Sequence, residues 1–210
     1  MNITIVGAGN MGSALVKQLT GAGHTVRVTG RDMAKARNVA AANPGAIAAV
    51  PAEALGNSSV VIAATFYDDA VAALKSLGSL EGRVVVDISN PVTADFMALT
   101  IGHDTSAAEE IARALPEAEV VKAFNTVFAP ALANGPRLGN GSTIPVYIAG
   151  DSDRAKSTVS GLVRSMGFAT VDTGALRNAR YLEPLGGLNI FFGYGAGHGT
   201  DIAPAWLGLA

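Results

Sequence analysis

The chain has 210 residues, 49% of them hydrophobic and only 15% charged, with 17 acidic against 15 basic groups for a net charge of −2. That length allows one domain of ordinary size with a small appendage, and sparse, balanced charge excludes a nucleic-acid surface, which needs concentrated Lys and Arg, and a disordered tail. With no cysteine, disulfide scaffolds, thiolate catalysis and Cys-ligated zinc are ruled out.

The amino terminus enters an apolar β-branched run at once, Asn2–Val6. No basic region, apolar stretch and cleavage site precede it, so a cytoplasmic protein is expected. A glycine-rich turn follows, then a helix marked by Met11, Leu15 and Leu19 at four-residue spacing. Further strand signals fall at Thr25–Thr29, Ile47–Val50, Val60–Ala64, Val84–Ile88, Val120–Phe124, Val146–Ala149 and Thr170–Asp172. Ala-rich helical stretches alternate with them, as in βα units around a buried parallel sheet. One helix is bounded by Asp151 or Ser152 as N-cap and Gly167 past its end, with Val159, Leu162, Val163 and Met166 as its apolar face. Beyond residue 173 the strand signal stops, and Ala175 to Phe192 reads as a helix ending in a Gly-rich turn. The longest uncharged run, Pro184 to Thr200, holds Asn189, His198 and scattered glycines and fails as a membrane span. The expected architecture is a Rossmann-type doubly wound α/β fold with a mostly parallel sheet over residues 1–173. A small C-terminal helical, Gly-rich segment over 174–210 would complete a second site and make a dimer contact.

Gly7-Ala8-Gly9-Asn10-Met11-Gly12 fits G-x-G-x-x-G directly after a strand and at the head of an amphipathic helix. The first glycine permits the tight turn, the second lets backbone approach a pyrophosphate, and the third lets helix pack on strand. At the end of the second strand an NAD site usually has Asp or Glu, which binds the ribose hydroxyls and repels a 2′-phosphate. Here the residues are Thr29-Gly30-Arg31, with Lys35 one helical turn on. Two cations and a hydroxyl favour NADP over NAD. The plainer alternative makes Arg31 and Lys35 solvated helix-start charges softened by Asp32.

The nicotinamide of a doubly wound fold lies over the carboxyl ends of the strands. The loops there read Thr65-Phe66-Tyr67, Ser89-Asn90-Pro91 and Asn125-Thr126-Val127. Thr65, Phe66, Tyr67, Asn90 and Asn125 offer hydroxyl, ring and amide groups to a bound dinucleotide, whereas Asp68 or Asp69 reads as the N-cap of the next helix. No Ser-His-Asp set, metal-ligand spacing or Walker turn is present, and His24, His103 and His198 stand far apart. No catalytic acid or base is singled out. Transfer between two redox rings needs mainly positioning and exclusion of water, whereas a carbonyl reductase needs a proton donor.

Taken with Asp87-Ile88-Ser89-Asn90-Pro91, Ser106-Ala107-Ala108-Glu109, Val121-Lys122-Ala123-Phe124-Asn125-Thr126 and Arg180-Tyr181-Leu182-Glu183, the turn and the Thr29-Gly30-Arg31 run resemble the coenzyme F420-dependent NADP oxidoreductase family. The chain is similar also to the cytosolic reductase domains of six-transmembrane metalloreductases. The resemblance implies a homodimer that exchanges a hydride between NADPH and a deazaflavin or flavin ring. It implies that Arg31 and Lys35 hold the 2′-phosphate and that Asn125, Thr126, Val127 and Arg180 border the second ring. The F420 enzymes carry a His where Asn125 stands, which leaves F420, FMN and FAD all open as second redox partner. Two other readings stand beside this one. The first is a reductase of small imines or carbonyls, since pyrroline-5-carboxylate reductases share the Gly7–Gly12 opening. The second is a non-catalytic NADP(H) sensor signalling through the apolar tail Asp201–Leu207.

Overall fold

The computed structural model describes residues 1–206 and residue 208; Leu207 of the apolar tail, and Leu209 and Ala210 at the end of the 174–210 segment, lie outside the described residues. The strands are β1 (Asn2–Val6), β2 (Thr25–Thr29), β3 (Ala46–Ala48), β4 (Val60–Ala63), β5 (Val84–Asp87), β6 (Glu119–Lys122), β7 (Pro145–Gly150) and β8 (Ala169–Asp172). The helices are α1 (Asn10–Gly21), α2 (Met33–Ala41), α3 (Pro51–Ala54), α4 (Tyr67–Lys75), α5 (Ala107–Ala114), α6 (Ala129–Asn134), α7 (Asp153–Ser165) and α8 (Ala179–Ile190). One sheet takes all the strands in the order β3-β2-β1-β4-β5-β6-β7-β8. The first six run parallel. β7 turns back antiparallel to β6, and β8 follows β7 in parallel. The fold is a Rossmann-like, doubly wound α/β fold.

β4 and β5 are buried at every position because both faces of the sheet are coated, which is why they read as unbroken apolar runs. Alternation still sorts their side chains. Ile62 and Val86 join Ile3, Ile5, Leu15, Leu19 and Val159 in one cluster, and Val61 and Val85 join Leu74, Leu80 and Ile111 in another on the opposite face. Order along the sheet reverses between β1 and β4, so a crevice opens at the carboxyl ends of these strands, where open α/β sheets bind ligands.

Three local expectations change. β6 stops at Lys122, not at Phe124, because Phe124 adopts a left-handed φ of 61° that breaks the ladder. α4 is capped by Phe66, which puts Asp68 and Asp69 inside its first turn, where they meet the positive end of the helix dipole without acting as N-cap. The C-terminal helix runs further than Phe192, through a wide turn at Phe191–Gly195. A side chain at Gly193 would place its Cβ 2.5 Å from the ring of Phe128, so glycine lets this turn close onto the core.

Candidate functional site

The glycine turn has the geometry of a phosphate cradle. Gly7 has φ +116°, and a Cβ there would lie 2.2 Å from the Ala64 carbonyl oxygen. A Cβ on Gly12 would lie 1.8 Å from the oxygen of Gly7. Those two glycines are needed by the packing of α1 on the sheet. Gly9 is different, since a Cβ there meets nothing within 4 Å. It is the N-cap of α1, with no side-chain cap and no acidic residue in the first turn, which leaves the N–H groups at Asn10 and Met11 and the helix dipole open to an anion.

At the end of β2, Arg31 lies 85% exposed and grips Asp69 of α4 with two contacts, Nη2 to Oδ2 at 3.0 Å and Nη1 to Oδ1 at 3.4 Å. Lys35 stands on the same edge, its Nζ 3.9 Å from Asp32, while Asp32 caps α2 by accepting from the Ala34 and Lys35 amides. Both cations are reachable by an incoming anion. Asp69 is a partner for Arg31 that spacing along the chain did not reveal.

Among the described residues, four buried side-chain atoms lack any hydrogen-bond partner: Thr29 Oγ1, Thr65 Oγ1, Asn125 Oδ1 and Thr126 Oγ1. All four belong to the carboxyl end of β2 or to the segments that follow β4 and β6, strung along one edge of the sheet. An unpaired buried polar atom costs about 1–3 kcal/mol, so these four, at the carboxyl ends of the parallel strands, are candidates to bond a ligand. Asn90 and Asn125 are locked together nearby. Asn90 Nδ2 donates to the Asn125 carbonyl at 2.7 Å, and Asn125 Nδ2 donates to Asn90 Oδ1 at 2.9 Å and to the Leu182 carbonyl at 2.7 Å. Gly186 presses on this amide pair so closely that a Cβ would come within 2.6 Å of Asn90 Oδ1. Phe66 is exposed, its ring tilted by 45° against that of Phe96 with 6.3 Å between centroids. Burial and the nearby carboxylates of Glu110 and Glu183 push the Tyr67 phenol above its ordinary pKa, so it stays protonated.

Val127 and Arg180, the other two residues that the resemblance pointed to, are both engaged within the protein. Val127 is buried in the core cluster with Phe124 and Phe128. Arg180 is taken by Glu109, Nε to Oε2 at 2.9 Å and Nη2 to Oε1 at 2.7 Å, which braces α8 against α5. Burial disfavours the Glu109 charge, but bonds from Arg180 and Ser106 outweigh it and hold the carboxyl below the usual range.

Beneath the amide pair lies an ion cluster whose members, Asp87, Lys122 and Glu183, come from three of the runs quoted above for the resemblance. Lys122, wholly buried, places Nζ 2.7 Å from Asp87 Oδ2, 2.8 Å from Glu183 Oε1 and 2.5 Å from the Ser89 carbonyl. Glu183 also accepts from the Ala107 and Ala108 amides at the start of α5, and Asp87 accepts from the Ser89 amide and hydroxyl. Burial works against the Lys122 charge, yet the two carboxylates hold its pKa above the ordinary lysine value. The available signal was an opposite-charge pair inside two apolar strands, Asp87 and Lys122, which the parallel register sets side by side.

Among the described residues no group of His, Asp and Glu is placed to hold a metal, and no helix is long and apolar enough to cross a membrane. Comparison with known proteins gives a concordant picture. The family model described as NADP oxidoreductase, coenzyme F420-dependent, matches residues 2–91. Metalloreductase STEAP3 of Rattus norvegicus is 35% identical over 184 residues, which is 87% of this chain but 36% of the relative's own length. A candidate F420-dependent NADP-reductase from Arthrobacter sp. FB24 superposes with a TM-score of 0.85 at 28% identity, over 97% of this chain and 99% of that one. A hypothetical protein, SMa0349 from Sinorhizobium meliloti, superposes at 0.77 with 31% identity, over 85% and 88%. The glycine cradle and β1 to β5 lie inside the region that matches the family of coenzyme F420-dependent NADP oxidoreductases, and the chain shares its fold with the candidate reductase of that kind.

Proposed function

We propose that the chain is an NADP(H)-dependent oxidoreductase that passes a hydride between NADPH and a flat redox ring, a deazaflavin of the F420 type or a flavin such as FMN or FAD. The row of unpartnered buried atoms from Thr29 to Thr126 carries this reading. It follows the path a dinucleotide takes from the ribose end at β2 to the nicotinamide end at β6. Bound NADPH supplies the hydride. The chain supplies a cradle for the pyrophosphate at Gly9 and α1, cations for the 2′-phosphate at Arg31 and Lys35, and a fixed amide pair, Asn90 and Asn125, for the nicotinamide end. Beside it an apolar groove of about 270 Å³, lined by Val92, Met97, Leu99, Pro184, Leu188 and Phe191, offers a dry wall for the second ring. The exposed Phe191, Phe192 and Tyr194 suit a homodimer contact, and the setting we propose is cytoplasmic.

Mixing the purified protein with NADPH and each of F420, FMN and FAD, and following loss of the nicotinamide absorbance, tests the reading. Oxidation with at least one ring supports it. Turnover with none, despite tight NADPH binding, overturns it in favour of a sensor. A second reading, reduction of an imine or carbonyl, draws on the protonated Tyr67 phenol as proton donor. Activity on a cyclic imine, lost in Tyr67→Phe, with none on the rings, would establish it. Arg31→Ala should weaken NADPH by about 1.5–3 kcal/mol and leave NADH nearly unchanged, as expected for loss of a charge-assisted contact. Titration calorimetry checks this, and equal losses for both nucleotides would make Arg31 a structural residue held by Asp69.

A further inference from the structure

The buried cluster carries two carboxylates, Asp87 and Glu183, around one ammonium, Lys122. The surplus negative charge is partly offset by the α5 amides bonded to Glu183. It is neither solvated nor remote. Ser89, whose carbonyl receives Lys122, precedes Asn90, and Leu182, whose carbonyl receives Asn125, precedes Glu183. The cluster therefore meets the amide pair from both sides, one residue away along each segment. A nicotinamide ring is a cation when oxidised and neutral when reduced, and a net charge in a low-dielectric interior acts on that difference over several ångströms.

We propose that Asp87 and Glu183 are electrostatic positioning residues that favour the oxidised nucleotide, so that the site holds NADP⁺ more tightly relative to NADPH and makes the bound reduced form the stronger hydride donor. This rests on the nucleotide reading above. An excess negative charge beside the ring stabilises its cationic form, and neutralising either carboxylate removes the excess while leaving Lys122 one carboxylate partner. Each change keeps the size and shape of the side chain but turns one accepting oxygen into an amide donor. The loss of that bond weakens the fold and would treat the two nucleotides alike, whereas the loss of charge would not.

Titration calorimetry with NADP⁺ and NADPH on the wild type, Glu183→Gln and Asp87→Asn, with thermal unfolding as control, reads the effect. Both variants are expected to lose affinity for NADP⁺ relative to NADPH by about fivefold or more, the order expected for one net charge within roughly 10 Å at an effective interior dielectric. Equal weakening of both nucleotides, or an unchanged ratio, overturns the inference. If Glu183→Gln does not fold, Asp87→Asn decides. If neither folds, the wild type decides, since it should hold NADP⁺ at least as tightly as NADPH and a clear preference for NADPH overturns the inference. A wild type that binds neither nucleotide would instead remove the reading on which it rests.

Discussion

Lys122→Met is expected to lower the free energy of unfolding by about 3–5 kcal/mol, the cost of leaving buried charge without its counter-ion. Lys122 is wholly enclosed, and its removal would leave Asp87 and Glu183 facing one another with no water to replace the ammonium. The pH dependence has a definite sign. Because the folded pKa of Lys122 is raised, its contribution is fully present below the unfolded lysine value of about 10.4. It is lost only as pH rises through the folded pKa. Urea unfolding across the neutral range should therefore show a constant gap between variant and wild type, closing only in strong alkali. A gap below about 1 kcal/mol would mean that the ammonium contributes little to holding the cluster together.

The second large effect separates two glycines of one turn. Gly12→Ala forces its Cβ to within 1.8 Å of the Gly7 oxygen, so α1 must move off the sheet. Stability should fall by about 1–3 kcal/mol, as for other overpacked positions, and NADPH affinity by about 100-fold, or ~2.7 kcal/mol. Gly9→Ala meets nothing and should fold within about 0.5 kcal/mol of the wild type, yet it too should lose NADPH, because its methyl group occupies the approach of the pyrophosphate. Thermal unfolding and NADPH fluorescence on the two variants check this. If Gly9→Ala binds normally, the phosphate does not approach at that residue.

Much of this site is legible along the chain because it is built from local signals. The glycine turn, the missing acid after β2 and the polar residues at strand ends are each contained within a few positions, and all four unpartnered buried atoms fall on residues those signals single out. What could not be read is what depends on distant pairing. Asp69 lies 38 positions from Arg31, and Glu183 lies far from both Asp87 and Lys122. Arg180 looks like a ligand-binding cation in isolation, and only the packing of α8 on α5 shows that Glu109 already holds it. The left-handed Phe124 could not be read either, since a phenylalanine carries no preference for that conformation and the tertiary frame imposes it. The reversal at β7 is hidden for a related reason: an apolar run marks a strand but not its direction.

That reversal leaves a seam in the sheet. β4 and β5 are joined across four residue pairs, whereas β6 and β7 meet at two, Val121 with Gly150 and Lys122 with Ala149. β7, α7 and β8 are held to the rest chiefly by side chains such as Val146, Ile148, Val159 and Leu162. Amide protons at the seam should exchange with deuterated solvent sooner than those between β4 and β5, at an opening free energy below that of global unfolding. Since this attachment is more hydrophobic than hydrogen-bonded, it weakens on cooling, and the β7–α7–β8 leaf should be the first layer of the molecule to loosen in the cold.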